Sequence, residues 1–352
     1  MLADLQQRAV AGELSRDEVA RAMAALLDPS VGDESKAAFL RAWAKRGETA
    51  PELAACAEAL LPRAADPGVR GTWNSKPLLD CCGTGGGGLN LLNISTGVVF
   101  ILAAMGIPVV KHGNRGLTKK SGSADVLEAL GIRIDLPPEK LASCLEEVGA
   151  AFLFAPAYHT SFSAVGAVRR QLGAEGQRTV FNLLGPLLNP ARPDARLVGV
   201  FSDAHAKLYF GALSNIGCPH FAVAWGEDSP QMKPIGEVSA HGKTVVLGTH
   251  GEPDHDNRKS FTLAIPGDTM DRLESLLVTG AEQSAARLHA LLSGSEKFGL
   301  ARETLLINAA VAAWAHGTAA SIAEGFALSR EALDSRRALA ILTKWQDFST
   351  KL

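Results

Sequence analysis

The sequence predicts an α/β fold: a small N-terminal helical domain, then a larger domain with a mostly parallel central sheet. Three observations predict it. Residues 1 to about 65 carry only helical, Ala/Leu-rich amphipathic patterning. A polar stretch bearing Gly and Pro (66–76, DPGVRGTWNSK) then interrupts the chain. From residue 77 onward, short apolar runs alternate with helical stretches, the signature of parallel strands joined by helices. The expected domains are therefore 1–70 and 77–352, and 352 residues suffice for one large core and a smaller one.

The elements follow in order. Ser15 and Glu18 stand at capping-box spacing and open a helix. LLDCC (78–82) reads as a strand followed by a glycine loop. STGVVFILAAMG (95–106) reads as a helix with Ser95 as N-cap and Gly106 as its stop. IPVVK (107–111) is a second strand, and SADVLEALG (123–131) a second helix closed by Gly131. AAFLFAP (150–156) and RLVGVF (196–201) are further strands. Residues 226–260 read as loops and hairpins around the strand KTVVL (243–247), and residues 304 to about 342 as helical and apolar.

Composition excludes several classes. Hydrophobic residues make 47% and charged residues 20%, which describes a globular chain rather than a disordered one. A net charge of -2 opposes a dedicated nucleic-acid binder. The cysteines (Cys56, Cys81, Cys82, Cys144, Cys218) are odd in number and form no C-x-x-C pair, so neither a disulfide framework nor a zinc site is expected. A reducing cytoplasm is the expected setting. The N-terminus carries early charges and lacks the apolar core of a signal peptide. The longest apolar run, Gly97 to Val110, is broken by Gly106 and Pro108, so no membrane span is expected.

Two loops carry the chemistry. Gly83-Thr84-Gly85-Gly86-Gly87-Gly88 lies between a strand and a helix, where glycines let backbone N–H groups converge on phosphate oxygens. It lacks the Gly-Lys-Ser/Thr of a Walker A loop and reads equally as a tight turn. The second loop, Lys111-His112-Gly113-Asn114-Arg115-Gly116-Leu117-Thr118-Lys119-Lys120-Ser121-Gly122-Ser123, gathers Lys111, Arg115, Lys119 and Lys120. If the strands are parallel, both loops leave the same sheet edge, where ligands of open α/β sheets bind.

The segments GTGGGGLNLLNIST (83–96), KHGNRGLTKKSGSADVLEALG (111–131) and RTVFNLLGPLLNPA (178–191) closely resemble signatures of the anthranilate phosphoribosyltransferase family, in order and spacing. The resemblance extends into the C-terminal helices (305–335). It implies a nucleoside phosphorylase/phosphoribosyltransferase-like fold, with helices near 165–190 joining the helical domain, and a homodimer. It implies transfer of the phosphoribosyl group of phosphoribosyl diphosphate (PRPP) to anthranilate, a step of tryptophan biosynthesis, in a cleft between domains. PRPP would lie among Gly83, Gly86, Gly87, Asn93, Ser95, Thr96, Lys111, His112, Gly113, Asn114, Arg115, Thr118, Lys119 and Ser123. Anthranilate would touch Gly83, Asn114 and Arg169. Magnesium would be held by Ser95 and Glu237, and no covalent nucleophile is implied.

Arg169 suits a carboxylate as a bidentate partner, but it also reads as a surface cation beside Arg170. His112 reads as shaping the loop or lining an aromatic pocket in preference to acting as a general base. The chain departs from the family pattern at Gly87, where an aspartate is usual, at Leu91, at Thr118-Lys119 in place of a serine pair, and at Gly236, which replaces the first acid of an Asp-Glu pair. A short insertion stands at 174–177. Fewer or differently placed magnesium ions are expected. Two alternatives remain: a related transferase or phosphorylase with another acceptor, and a non-catalytic paralogue that binds nucleic acid.

Overall fold

A computed structural model describes residues 2–85, 89–116, 121–228, 233–249, 258–262 and 273–351. The chain opens with α1 (Leu2–Ala11), α2 (Arg16–Leu26), α3 (Asp33–Arg46) and α4 (Ala50–Leu60). The Ser15/Glu18 capping box forms as the spacing predicts, and Thr49 with Glu52 makes another at α4. Glu52 is buried, and its carboxylate accepts from Leu14 N (2.8 Å), Trp43 Nε1 (3.2 Å), Thr49 N (2.9 Å) and the Arg46 guanidinium. One buried acid so fastens the bundle, because both of its oxygens meet donors, one to Oε1 and three to Oε2.

A two-stranded ribbon, β1 (Thr72–Trp73) and β2 (Lys76–Pro77), leads into the large sheet. There follow β3 (Leu79–Gly83), α5 (Ile94–Ala104), β4 (Val109–Gly113), α6 (Ser123–Ala129), α7 (Leu141–Val148) and β5 (Ala150–Phe154). Next come α8 (Ala155–Tyr158), α9 (Gly166–Ala174), β6 (Ala195–Gly199), α10 (Asp203–Asn215), β7 (His220–Asp228), β8 (Lys233–Pro234), β9 (Lys243–Gly248) and β10 (Arg258–Thr262). The chain ends with α11 (Ala281–Ser293), α12 (Leu300–His316), α13 (Ile322–Asp334) and α14 (Arg337–Thr350).

The sheet order is β10-β9-β7-β6-β3-β4-β5, with β8 on β7. Strands β7, β6, β3, β4 and β5 are mutually parallel, β9 is antiparallel to β7, and β10 is antiparallel to β9. The sheet is buried on both faces, as parallel sheets require. Leu197, Ala222, Ala224 and Val246 join one apolar cluster with α5, α12 and α14. Val198, Val200, Phe221, Val223 and Leu247, alternating with them, join a second cluster. That second cluster also contains the N-terminal bundle, Val165 just before α9, Val168 and Leu172 of α9, apolar residues between Val180 and Leu188, and Tyr209 and Leu213 of α10.

The structure corrects two local readings. Ser95 is not the N-cap of α5: the helix begins two residues earlier, after Asn93, and Ser95 Oγ instead accepts from a lysine. The region read as loops after residue 226 contributes β8 and β10 as well as β9, and begins inside β7. The C-terminal stretch is helical as expected, divided where Gly317 takes a left-handed conformation (φ 86°) and ends α12. No helix among the described residues is long and apolar enough to cross a membrane, and all five cysteines are free thiols.

Candidate active site

The chain builds β3, β4 and β5 outward on one side, then returns to place β6 and β7 on the other. The switch point therefore lies between β3 and β6, where ligands of open α/β sheets bind at the strands' carboxyl ends. A small cleft there is lined by Cys81, Cys82, Ser95, Val98, Leu197, Gly199, Glu237 and Asn308. The Glu237 carboxylate sits between the two strand ends: a carbon added to Gly83 would lie 3.9 Å from Oε1, and one added to Gly199 3.5 Å from Oε2.

Lys111 is buried in β4, and its ammonium donates to Cys81 O (2.5 Å) and Ser95 Oγ (3.2 Å). The Ser95 hydroxyl accepts from Lys111, so its own proton points elsewhere. Asp80, also buried, accepts from His112 N (3.2 Å) and Asn189 Nδ2 (2.9 Å), and Asn189 donates as well to Val110 O (2.7 Å). Burial pushes the Asp80 carboxyl up, against the opposing pull of Lys111, the Asn189 amide and Arg196. This network ties β3, β4 and the segment after residue 185 into one rigid support.

Asn93 Oδ1 accepts from Ser121 Oγ (3.1 Å) and Ser284 Oγ (2.9 Å), which fastens the start of α5 to the end of the basic loop. Thr96 is fully buried behind it, and its hydroxyl has no partner among the described residues. Gly113 must be glycine, since an added carbon would fall 2.1 Å from Ser123 Oγ. Asn114 accepts the Arg115 N–H on its own side chain (2.8 Å). Arg115 is exposed and ion-paired with Glu128 and Asp125. Gly86, Gly87, Thr118 and Lys119 lie outside the described residues.

A second wall begins at His112, the residue after Lys111. Its ring meets His159 edge-on (centroids 5.3 Å), His159 stacks on Phe162 (5.3 Å), and Phe162 meets Phe181 (5.6 Å). The Arg169 guanidinium lies 5.3 Å from the Phe181 centroid. Arg169 is half-buried while Arg170 is exposed. Desolvation lowers the Arg169 pKa, and no acidic side chain among the described residues offsets it.

His112 Nδ1 faces Gly185 O at 3.3 Å. A carbonyl only accepts, so Nδ1 carries the proton and Nε2, buried and without a partner among the described residues, offers a bare lone pair. Burial first, then the His159, Arg196 and Lys111 charges, lower this imidazole from 6.5 to about 3. The unfolded chain then takes up a proton at about 6.5 while the folded one refuses it until about 3. Stability is complete above the upper value and falls as pH drops through this window, by at most about 1.4 kcal/mol per pH unit. Urea unfolding at pH 7 and pH 5 should show this slope flattened in H112Q. By the same reasoning, kcat/KM should show no His112 limb between about pH 5.5 and 8.

Comparison with known proteins matches this arrangement along its whole length. The glycosyl transferase family helical bundle domain matches residues 4–64, and the glycosyl transferase family a/b domain matches residues 75–339. An anthranilate phosphoribosyltransferase of Symbiobacterium thermophilum is 37% identical over 356 residues, spanning 100% of this chain and 98% of that one. The chain belongs to the anthranilate phosphoribosyltransferase family. It is accordingly a pentosyl-transferring enzyme by membership. The crystal structure of the Thermus thermophilus member superposes with a TM-score of 0.86 at 36% identity, covering 99% of both chains. The Saccharomyces cerevisiae member, solved in complex with PRPP and Mg, gives 0.82 at 25% identity, covering 100% of this chain and 98% of that one.

Sequence reasoning brought Gly83, Ser95, Lys111 and Glu237 to one place, and the structure does so too. It missed Asp80, His159, Phe162, Phe181, Asn189 and Arg196, all in or beside the site. The acid inside the apolar run LLDCC was the available signal for Asp80, since a lone carboxylate in a buried strand needs partners.

The residues present fit magnesium in one manner. Ser95 supplies a hydroxyl and Glu237 a carboxylate, and no cluster of three metal-binding side chains exists among the described residues. That donor set suits an ion completed by substrate phosphates rather than a protein-only cage. Gly236 adds no second acid: it takes φ 72°, and an added carbon would fall 2.3 Å from the Phe201 ring. The space beyond Gly236 is filled by an aromatic ring.

Proposed function

We propose that this protein transfers the phosphoribosyl group of PRPP to anthranilate, giving N-(5-phosphoribosyl)anthranilate and diphosphate. One observation carries the reading. Consecutive residues of β4 serve two chemically different walls: Lys111 turns to Ser95 and the Cys81 carbonyl of β3, and His112 turns to the aromatic series that ends at Arg169. A phosphorylated donor and an aromatic carboxylate acceptor require that pairing, with the reacting atoms between them.

In this reading Gly83, the glycine loop, Asn93, Ser95, Gly113, Asn114 and Ser123 bind PRPP, with Lys111 acting through the Ser95 hydroxyl. Arg169 takes the anthranilate carboxylate. The amine attacks C1 of the ribose and diphosphate departs, so positive charge grows on the sugar and negative charge on the leaving group. Positioning and electrostatics suffice, because a neutral aromatic amine is already a nucleophile. The bare Nε2 of His112 accepts a hydrogen bond from such an amine without taking its proton near neutrality. Magnesium, held by Glu237 and Ser95 with the phosphates, supplies charge neutralisation on the diphosphate when bound. We extend the same proposal to a two-domain division near residues 66–76, with 165–190 joined to the helical part, to a homodimer, and to a cytoplasmic setting.

Anthranilate fluorescence tests the reading. Signal loss should require both PRPP and magnesium, and a magnesium titration should saturate as a single class of site. A rate that rises in two magnesium-dependent phases would count against the one-carboxylate site. Turnover with another amine but not with anthranilate would replace the acceptor.

A further inference from the structure

We propose that Asp125 is a positioning residue for PRPP, its carboxylate closing the neck of the loop that joins β4 to α6. This rests on the function proposed above. One oxygen, Oδ2, accepts the N–H of Gly116 (2.8 Å) and that of Gly122 (2.7 Å), six residues apart in sequence. The other, Oδ1, accepts from the Arg115 guanidinium at 3.3 Å. A single side chain thereby holds both sides of the stretch that contains Thr118 and Lys119 in sequence.

The backbone around the clasp is packed against itself. Ala124 N donates to Asn114 O (3.3 Å). A carbon added to Gly122 would fall 2.3 Å from Asn114 O and 2.5 Å from Gly116 N. Two chain segments at that separation leave no room for a side chain, and their N–H groups converge on one point. A charged acceptor suits such a point, because hydrogen bonds to an ionised oxygen are roughly twice as strong as neutral ones. Burial raises the Asp125 carboxyl, but the Gly122 and Gly116 N–H groups and Arg115 outweigh it and hold it below the usual carboxylate range.

The same geometry gives Arg115 a different task from phosphate binding. A bare carboxylate beside a diphosphate site would repel the substrate. Arg115 pairs with both Asp125 and Glu128 and lies 5.7 Å from the Phe154 ring centroid. Its charge offsets the clasp, and its stem fixes the chain just after Asn114. Asn114 and Ser123, the proposed ligands at either end of the neck, are set by this arrangement.

Steady-state kinetics of D125A and D125N test the proposal. D125A should raise KM for PRPP by about tenfold or more, with a smaller rise in KM for anthranilate and kcat within about threefold, because the clasp sets Ser123 and Asn114 on the PRPP side while the Arg169 contact to the acceptor carboxylate stays in place. D125N keeps an oxygen where Oδ2 stands and should recover most of the PRPP affinity. Equal KM for PRPP in D125A and wild type overturns the proposal, as does a loss confined to kcat and melting temperature. If D125A does not fold, G122A, which opens the neck from its other side, should show the same selective rise; its absence overturns the proposal. If wild type binds PRPP by calorimetry but consumes no anthranilate, the acceptor reading fails alone, and the Kd of D125A for PRPP decides this one. Absence of PRPP binding by wild type overturns both.

Discussion

Arg169→Ala is expected to raise KM for anthranilate by about 100-fold, while KM for PRPP changes by less than about threefold. The magnitude follows from losing a paired, charge-assisted contact worth up to about 3 kcal/mol, where 1.4 kcal/mol is a factor of ten. The selectivity follows from place. Arg169 stands at the far end of the aromatic series from Lys111, on α9, with its guanidinium over the Phe181 ring. Arg169→Lys should recover only part of the loss, because a point charge does not reproduce a planar fork against a carboxylate. The fold should tolerate both changes, since the native guanidinium is half-buried without an acidic partner and its removal strands no opposite charge. Initial rates with each substrate varied in turn check this. Equal increases in both KM values would show that Arg169 supports the cleft as a whole and does not receive the acceptor.

Much of this fold was legible in the sequence because its signals are local. Ser15 with Glu18 marks a helix start, glycines 106 and 131 close helices, and the runs at 78–82, 107–111 and 150–156 became β3, β4 and β5. Strand β7 was not read, although HFAVAWG is apolar enough: an apolar run lying beside polar residues has no period that distinguishes strand from loop. Ser95 was misread as a cap for a related reason. Its residue type fits a helix start, but the side chain answers to Lys111, sixteen positions away in sequence and adjacent only after β3 and β4 align. The glycine and basic loops were legible as phosphate chemistry from residue type and spacing. The aromatic wall was not, because His112, His159, Phe162 and Phe181 come from separate segments and meet only in three dimensions. Gly236 shows the limit of comparison by motif. A missing acid looks like a simple loss in sequence, whereas in the structure the Phe201 ring has filled its place.

Lys111→Met should be the most damaging single change to both stability and turnover. The ammonium is buried, and it balances Asp80, which is buried as well. Removing Lys111 takes away one of the charges that oppose the burial of Asp80 and leaves Arg196, the Asn189 amide and the His112 N–H to do so, at a cost of about 1–3 kcal/mol. It also deprives Ser95 of the donor that fixes its hydroxyl, so kcat/KM should fall along with the urea midpoint. The two losses can be separated. In D80N/K111M neither charge remains, so the stability loss should be smaller than the sum of the single losses, a coupling that a double-mutant cycle measures. Activity should not return with it, because Ser95 remains without its donor. The pH dependence has a definite sign. Asp80 already has a raised folded-state pKa, and losing Lys111 raises it further. The folded state then holds the proton more tightly than the unfolded one, whose aspartate titrates near about 3.9. The K111M deficit should therefore be smaller at pH 5 than at pH 8, growing as pH rises toward the folded-state value. A deficit independent of pH, with no coupling to D80N, would mean that Lys111 serves the site through packing of its stem and that the charge balance beneath the glycine loop is made elsewhere.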